Sequence, residues 1–337
     1  MKIGNSVFIL LAIAFAFLVI FSCDNFELAE TKNKYMVIDI EKHEAPGLMQ
    51  EFVAALSEYA KAQKPGFLIV PQNGAELAYD GLNPENGFSE IYINAIDGMG
   101  IEELFFDWNR RPVTYNGPLL NMLSELKDNG LTIMVSDYVS TSNVQNSMDY
   151  NTEQGFLAFP RVTENYHYKM IPSSPLDGDP LRNVTSLADA KNYLYLISSD
   201  NFSTKRAMIN AINNTVYDVL IIDLFFNKTA FSMTEINELR KKPDETGAVG
   251  KGGNRIVLAY INIGSAETFR DYWKGSLPFL IRPYGDGYDD EYMVGYWTDE
   301  WQKIMFGDDK SYIQRILNAG FDGAYLDNVE TYKRIFQ

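Results

Sequence analysis

The sequence has one cysteine, Cys23, and two histidines, His43 and His167, in 337 residues. A single cysteine rules out any disulfide within the chain. Two histidines argue against a histidine-rich zinc site or a serine–histidine triad. No glycine-rich nucleotide fingerprint follows any apolar run, which weakens a doubly wound dinucleotide-binding reading. Basic residues are also scarce: 29 Lys and Arg stand against 45 Asp and Glu, for a net charge of −16. Such a surface disfavours nucleic acid and anionic lipid and suits a cationic partner. The remaining resources for chemistry are carboxylates, tyrosines and amides. Nothing in the spacing indicates a metal or an organic cofactor.

Long apolar runs are absent except at the start. "VFILLAIAFAFLVIF" (7–21) is 15 residues long, too short for an ordinary membrane span and built like a secretory h-region. Cys23 follows at once in "IFSC". The pattern resembles a bacterial lipoprotein signal, so residues 1–22 are expected to be a signal peptide, with Cys23 as the lipidation site. Residues 23–38 then form a polar tether, and residues 39–337 the folded domain. The expected location is the bacterial cell envelope, exported and held to the membrane by the lipid.

From there, short apolar runs of the kind buried on both faces of a parallel sheet recur at 66–72, 92–98, 131–138, 155–160, 192–198, 218–225, 255–264 and 323–329. Amphipathic stretches such as "GLMQEFVAALSEYAKAQ", "PLLNMLSELKDNG", "TKRAMINAINN", "FSMTEINELRKK" and "SYIQRILNAG" separate most of them. This alternation predicts an α/β fold, a (β/α)8 TIM-type barrel. The order is unusual, because the domain opens with a helix and closes with a strand. In a closed barrel the first helix can serve as the crossover after the last strand, which predicts a circularly permuted barrel with residues 332–337 near residues 39–46.

Barrel chemistry sits where strands end. The expected strand ends carry Asn73 and Glu76 in "PQNGAE", Asp97 in "AIDG", Asp137 and Tyr138 in "VSDY", Asp223 in "IIDLF", Tyr260 and Glu267 in "AYINIGSAE", and Asp327 with Glu330 in "YLDNVE". Carboxylates converging on one rim raise one another's pKa, so one can stay protonated while another is ionised. Glycosidic bond cleavage needs such a pair. Nearby aromatics, Trp273 among them, suit stacking on sugar rings.

"VLAYINIGSAETFRDYW", "GYWTDEWQKIMF", "ILNAGFDGAYLDNVETY", "EYAKAQKPGFLIVPQNGAEL" and "NAIDGMGIEELFF" together resemble segments of glycoside hydrolase family 114, the endo-α-1,4-polygalactosaminidase-like proteins. The family order places the first three before the last two, so the resemblance implies the same permutation. It also implies a (β/α)8 barrel and endo-hydrolysis of α-1,4-linked galactosamine polymers by an aspartate of the "YLD" motif and a glutamate of "PQNG-x-E", here Asp327 and Glu76. Asp223, Glu267, Asp97, Asp137, Asn73, Tyr260, Trp273 and Tyr138 would then bind the polysaccharide. The family commonly reads "GEAE" where this chain has "GSAE", so Ser265 replaces one rim carboxylate, and the tryptophan-rich stretch between "DYW" and "YW" is absent. A non-catalytic glycan-binding lipoprotein on the same barrel is the alternative.

Overall fold

The computed structural model describes residues 35–162, 168–172, 178–285 and 287–337. The apolar run, Cys23 and the tether up to residue 34 lie outside the described residues. Residues 35–38 lie against the folded body: Met36 N–H donates to the Leu280 carbonyl at 2.7 Å, and Tyr35 stacks on Tyr292.

Thirteen strands are present among the described residues. In chain order they are β1 (Leu68–Pro71), β2 (Gly98–Glu102), β3 (Thr132–Ser136), β4 (Leu157–Ala158), β5 (Tyr193–Leu196), β6 (Val219–Asp223), β7 (Phe225–Phe226), β8 (Thr229–Ala230), β9 (Ile256–Asn262), β10 (Ser265–Glu267), β11 (Leu280–Gly285), β12 (Tyr288–Val294) and β13 (Gly323–Asp327). Eight helices accompany them: α1 (Ala45–Gln63), α2 (Glu90–Ile93), α3 (Gly117–Asp128), α4 (Val144–Gln154), α5 (Lys205–Asn213), α6 (Met233–Leu239), α7 (Asp299–Met305) and α8 (Tyr312–Ala319).

The architecture is α/β with a parallel central sheet. Five strands pair in the order β1-β13-β9-β6-β5 and three in the order β2-β3-β4, all parallel. A parallel bridge between Gln72 and Gly100 continues β1 onto β2. Nearly every residue of these strands is buried, as expected when helices cover one face and side chains fill the other. A separate antiparallel sheet, β10-β12-β11, lies between β9 and α7 in the chain.

Helix ends follow local chemistry. The Ser232 hydroxyl and Glu235 carboxylate form a reciprocal capping box that starts α6. Gly320, in the left-handed region, ends α8, whose inner face buries Tyr312, Ile313, Ile316 and Ala319. Helix α1 packs between α8 and α2. Tyr59 OH donates to Gln314 at 2.7 Å on one side, and Ser57 Oγ to the Ala95 carbonyl at 2.6 Å on the other. Residues 41–46 and 332–333 line one surface cavity, so the tail and the segment before α1 are neighbours.

Two expected strands need correction. Residues 92–98 are the end of α2 and a turn, and the strand lies at 98–102 instead. Residues 155–160 shorten to Leu157–Ala158.

Tyrosines fill the space beneath the carboxyl ends of the strands. Tyr195 meets Tyr325 edge to face with centroids 5.2 Å apart, and Tyr168 stacks on Tyr195 at 3.7 Å. The Tyr325 ring lies directly on Gly100, where a Cβ would overlap its hydroxyl and ring carbons. Only glycine fits there. Gly100→Ala is therefore expected to destabilise the fold by about 1–3 kcal/mol through overpacking, visible as a lower urea midpoint with an unchanged slope. An unaltered midpoint would show that the approach of Tyr325 is not limiting.

Candidate active site

Asp327 is the last residue of β13, and Asn328 follows in the left-handed region at φ 61°, which turns the chain out of the sheet. One carboxylate oxygen of Asp327 accepts the Tyr260 hydroxyl at 2.6 Å and the other the Asn328 N–H at 2.7 Å. Tyr260 is held opposite Tyr325 by the β13–β9 register. Burial pushes the Asp327 carboxyl above its ordinary value. The two hydrogen bonds oppose this, and the charge of Glu330 adds to it.

Glu102 ends β2, and β1 with its continuation Gln72 runs between it and Asp327. Its N–H donates to Asn73 Oδ1 at 3.0 Å, and its carboxyl accepts Gln72 Nε2 at 3.0 Å and the Tyr168 hydroxyl. The Arg161 guanidinium lies 3.7 Å away, sandwiched between the rings of Tyr138 and Tyr168. Burial dominates and the Asp327 charge adds to it, so that Glu102 is pushed up to about 7 despite Tyr168 and Arg161. The sequence reading passed over this residue because it set the strand six residues early. The signal was present as an acid pair directly after "GMGI".

A third such carboxyl comes from outside the parallel strands. Glu291 on β12 accepts Ser265 Oγ at 2.6 Å and Asn262 Nδ2 at 3.2 Å, both through Oε2. Burial first, then the charges of Glu267 and Asp327, push it up to about 7.

The other rim acids are already engaged. Arg270 grips Asp223 with two bonds of 3.0 and 2.7 Å and Glu267 with two of 2.7 and 3.2 Å. One buried guanidinium thus compensates both. Asp137 is fully buried and accepts four bonds: Phe105 N–H, Phe106 N–H, Ser147 Oγ and Asn151 Nδ2. That set pins the loop after β2 to α4. Asp97 must be reassigned as a site residue. It precedes β2, at the opposite end of the strands, where it accepts the Ile69 N–H at 2.8 Å and pairs with Lys61 at 3.0 Å.

Glu76 lies on the short helical turn after β1. It accepts the Tyr332 hydroxyl at 2.7 Å and pairs with Lys333, which also contacts Glu330. Burial raises Glu76, but the bonds from Lys333 and Tyr332 outweigh it and hold the carboxyl below its ordinary value. Asn73, at φ 62°, is a turn residue that positions Glu102. Tyr138 is buried under Arg161, with Trp108 edge-on at 5.0 Å, and Trp273 packs against Tyr292. Among the described residues, no group of three or more His, Cys, Asp or Glu side chains is set to hold a metal ion.

Residues 199–337 match the family model described as Glycoside-hydrolase family GH114. This matched part contains Asp327, Asp223, Glu267, Arg270 and Glu291. The chain is also similar to three proteins described only as uncharacterized. One from Methanocaldococcus jannaschii is 29% identical over 172 residues, which is 49% of this chain and 45% of the relative. One from Thermotoga maritima is 30% identical over 126 residues, covering 36% of this chain and 35% of the relative. One from Deinococcus radiodurans is 26% identical over 132 residues, covering 37% of each. The matches thus span less than half the length of these relatives.

The raised carboxyls make stability depend on pH with a definite sign. Glu102 keeps a proton in the folded state that the unfolded chain releases above about pH 4.5. Its favourable contribution is complete below that pH and is lost as pH rises through about 7. Glu102→Gln should therefore match the wild type at pH 4 and become relatively more stable by pH 8. The gain should be about 2–3 kcal/mol by urea denaturation. A constant difference across that range would show that Glu102 titrates normally.

Proposed function

We propose that the protein is an endo-acting glycoside hydrolase, cleaving a polymer of α-1,4-linked galactosamine type, with Asp327 and Glu102 as its working carboxyl pair. The observation that carries this reading is a pair of carboxyls at the ends of β13 and β2, on either side of β1, each fixed by its own hydrogen bonds. Asp327 is held by a tyrosine hydroxyl and a backbone N–H, both of which favour its ionised form. Glu102, pushed up to about 7 by burial and by the Asp327 charge, is available as a proton donor near neutral pH. Their backbones are separated by two inter-strand steps of about 4.8 Å each and by a stagger of two residues along β2. Retaining and inverting glycosidases hold their carboxyls roughly 5–9.5 Å apart, and the same separation is expected of the working pair here. Glu102 protonates the leaving oxygen, while Asp327 attacks the anomeric carbon or activates water from the opposite face.

In this reading Glu102 takes the place of Glu76, which the motif makes the partner of Asp327. Glu76 is kept ionised by Lys333 and Tyr332, which suits holding the loop after β1 more than donating a proton. The strands close into a barrel in the order β1-β2-β3-β4-β5-β6-β9-β13, with β13 beside β1 and α1 as the crossover between them. The packing of α1 between α8 and α2 supports this closure. The family match confined to residues 199–337 fits a permuted order, since the "PQNGAE" and "AIDG" segments precede it here. The apolar run at 7–21 and Cys23 support export to the envelope and a lipid anchor, and the net charge of −16 supports a cationic polymer.

The test is reducing-end release from partly deacetylated galactosaminoglycan. Asp327→Asn should lower kcat/KM by several orders of magnitude, and Glu102→Gln by about 100- to 10,000-fold. Glu102→Gln should also lose the basic limb of the pH–rate profile near pH 7, and should keep more activity on an aryl glycoside whose leaving group needs no proton. Glu76→Gln should retain that limb. If Glu76→Gln abolishes it while Glu102→Gln does not, the acid is Glu76. Binding without hydrolysis by the wild type would make the protein a glycan-binding one.

A further inference from the structure

The hairpin of β11 and β12 contributes one side chain that neither the fold nor the proposed chemistry needs. The β10–β12 register sets Glu291 directly opposite Glu267. Like charges facing across a ladder are destabilising. Glu267 is relieved by Arg270, which bonds both of its oxygens, but Arg270 makes no bond to Glu291. Glu291 receives two neutral donors, Ser265 Oγ at 2.6 Å and Asn262 Nδ2 at 3.2 Å, and both reach the same oxygen. Its Oε1 has no protein donor among the described residues. A carboxyl drawn in toward Asp327 and Glu267 without a cation costs stability and returns none.

The two donors nevertheless fix its direction. Asn262 is the last residue of β9, level with Asp327 in the β13–β9 register, and Ser265 begins β10 three residues later. Ser265 N–H also donates to Asn262 Oδ1 at 2.9 Å, so the two donors hold each other. Asn328 Nδ2 reaches Ser265 Oγ at 3.4 Å from the turn that follows Asp327. Glu291 is thus tied to the β9–β10 turn, which is itself bonded to the end of β13 beside Asp327. The groups around it are Asp327 on β13, Glu267 with its Arg270 on and after β10, the Tyr260 hydroxyl on β9, and neutral Asn262 and Ser265. No lysine or arginine among its hydrogen-bond partners neutralises it.

We propose that Glu291 is a specificity-determining residue, whose free oxygen binds a cationic amino substituent on the sugar ring seated against Asp327. This rests on the hydrolase reading above and names the group by which that site would choose its substrate. An ammonium supplies the missing donor and the missing countercharge together, through charge-assisted hydrogen bonds. An N-acetylated amine supplies neither the charge nor the room for a close approach. Glu291 is half-buried, so its Oε1 remains accessible to a ring substituent while Oε2 is held by Ser265 and Asn262.

The experiment compares wild type and Glu291→Gln on two forms of one galactosaminoglycan, fully deacetylated and fully re-N-acetylated. The expected result is a fall of about 10- to 100-fold in kcat/KM on the deacetylated polymer, mostly in KM, against a change below about 3-fold on the acetylated one. Equal losses on both, with the preference unchanged, would overturn the assignment. If Glu291→Gln melts early, Ser265→Ala loosens the same carboxylate without altering charge. It should reduce the preference several-fold, and an unchanged preference again overturns the proposal. A wild type that hydrolyses neither polymer refutes the hydrolase reading instead. The role of Glu291 is then decided by calorimetric binding of the deacetylated polymer to Asp327→Asn and to Asp327→Asn/Glu291→Gln. A tenfold weaker double variant supports it, and equal affinity overturns it.

Discussion

The parallel pairing of β1 with β13, Leu68 on Gly323 through Pro71 on Leu326, is the contact on which the rest of the site depends. It joins residues 255 apart in sequence, as Val70 is from the paired Tyr325, and carries the ladder on through Gln72, whose N–H donates to the Leu326 carbonyl. From there Asn73 N–H reaches the Gly100 carbonyl, so β2 is drawn alongside. The pairing thereby sets Asp327, Gln72 and Gly100 in a row, with Glu102 two residues further along β2 and bonded by the Gln72 side chain. A slip of one residue in this register would turn every side chain to the opposite face and break the row. The seam is buried although it is built from distant parts of the sequence, and α1 packs between α8 and α2.

Around that row the acids fall into distinct electrostatic states. Asp223 and Glu267 are compensated by Arg270, Glu76 by Lys333, and Asp97 by Lys61. Asp137 is saturated with hydrogen bonds. Among the described residues, Asp327 and Glu291 have no basic partner in hydrogen-bond contact, and Glu102 meets Arg161 at 3.7 Å. Conversion of a crowded acidic rim into a small number of reactive carboxyls is accomplished by these ion pairs. Counting acids at strand ends cannot show it, because Arg270 and Lys333 are the residues that decide which acids remain.

Much of the parallel framework was legible in the sequence, because Val-, Ile- and Leu-rich runs such as "DVLIIDLF" and "RIVLAYINIG" leave little choice of structure. The one strand that was misplaced explains most of the errors at the site. "GMGIE" carries two glycines, and Gly100 is there only because Tyr325 lies against it. A requirement imposed from another strand erases the local β signal. The neighbouring "YINAI" is apolar for a different reason, since Tyr92, Ile93 and Ile96 pack under α1 at the end of a short helix. Asp97 was consequently read as a strand end and Glu102 was not. Asp327, on a strand with clear patterning, was identified directly. Glu291 was out of reach for a third reason: the hairpin that bears it has no periodic tie to the parallel sheet, and its approach to Asp327 is a tertiary fact.

The tyrosine layer under the strand ends has an optical consequence. Tyr195, Tyr325, Tyr260 and Tyr168 are buried, with Tyr260 bonded to Asp327 and Tyr168 to Glu102. Phenol absorption near the ultraviolet edge responds to a charge appearing or vanishing at hydrogen-bond distance. The floor of the cleft is therefore a built-in reporter: each gain or loss of a proton at either carboxyl writes itself into the near-ultraviolet spectrum of the unlabelled protein.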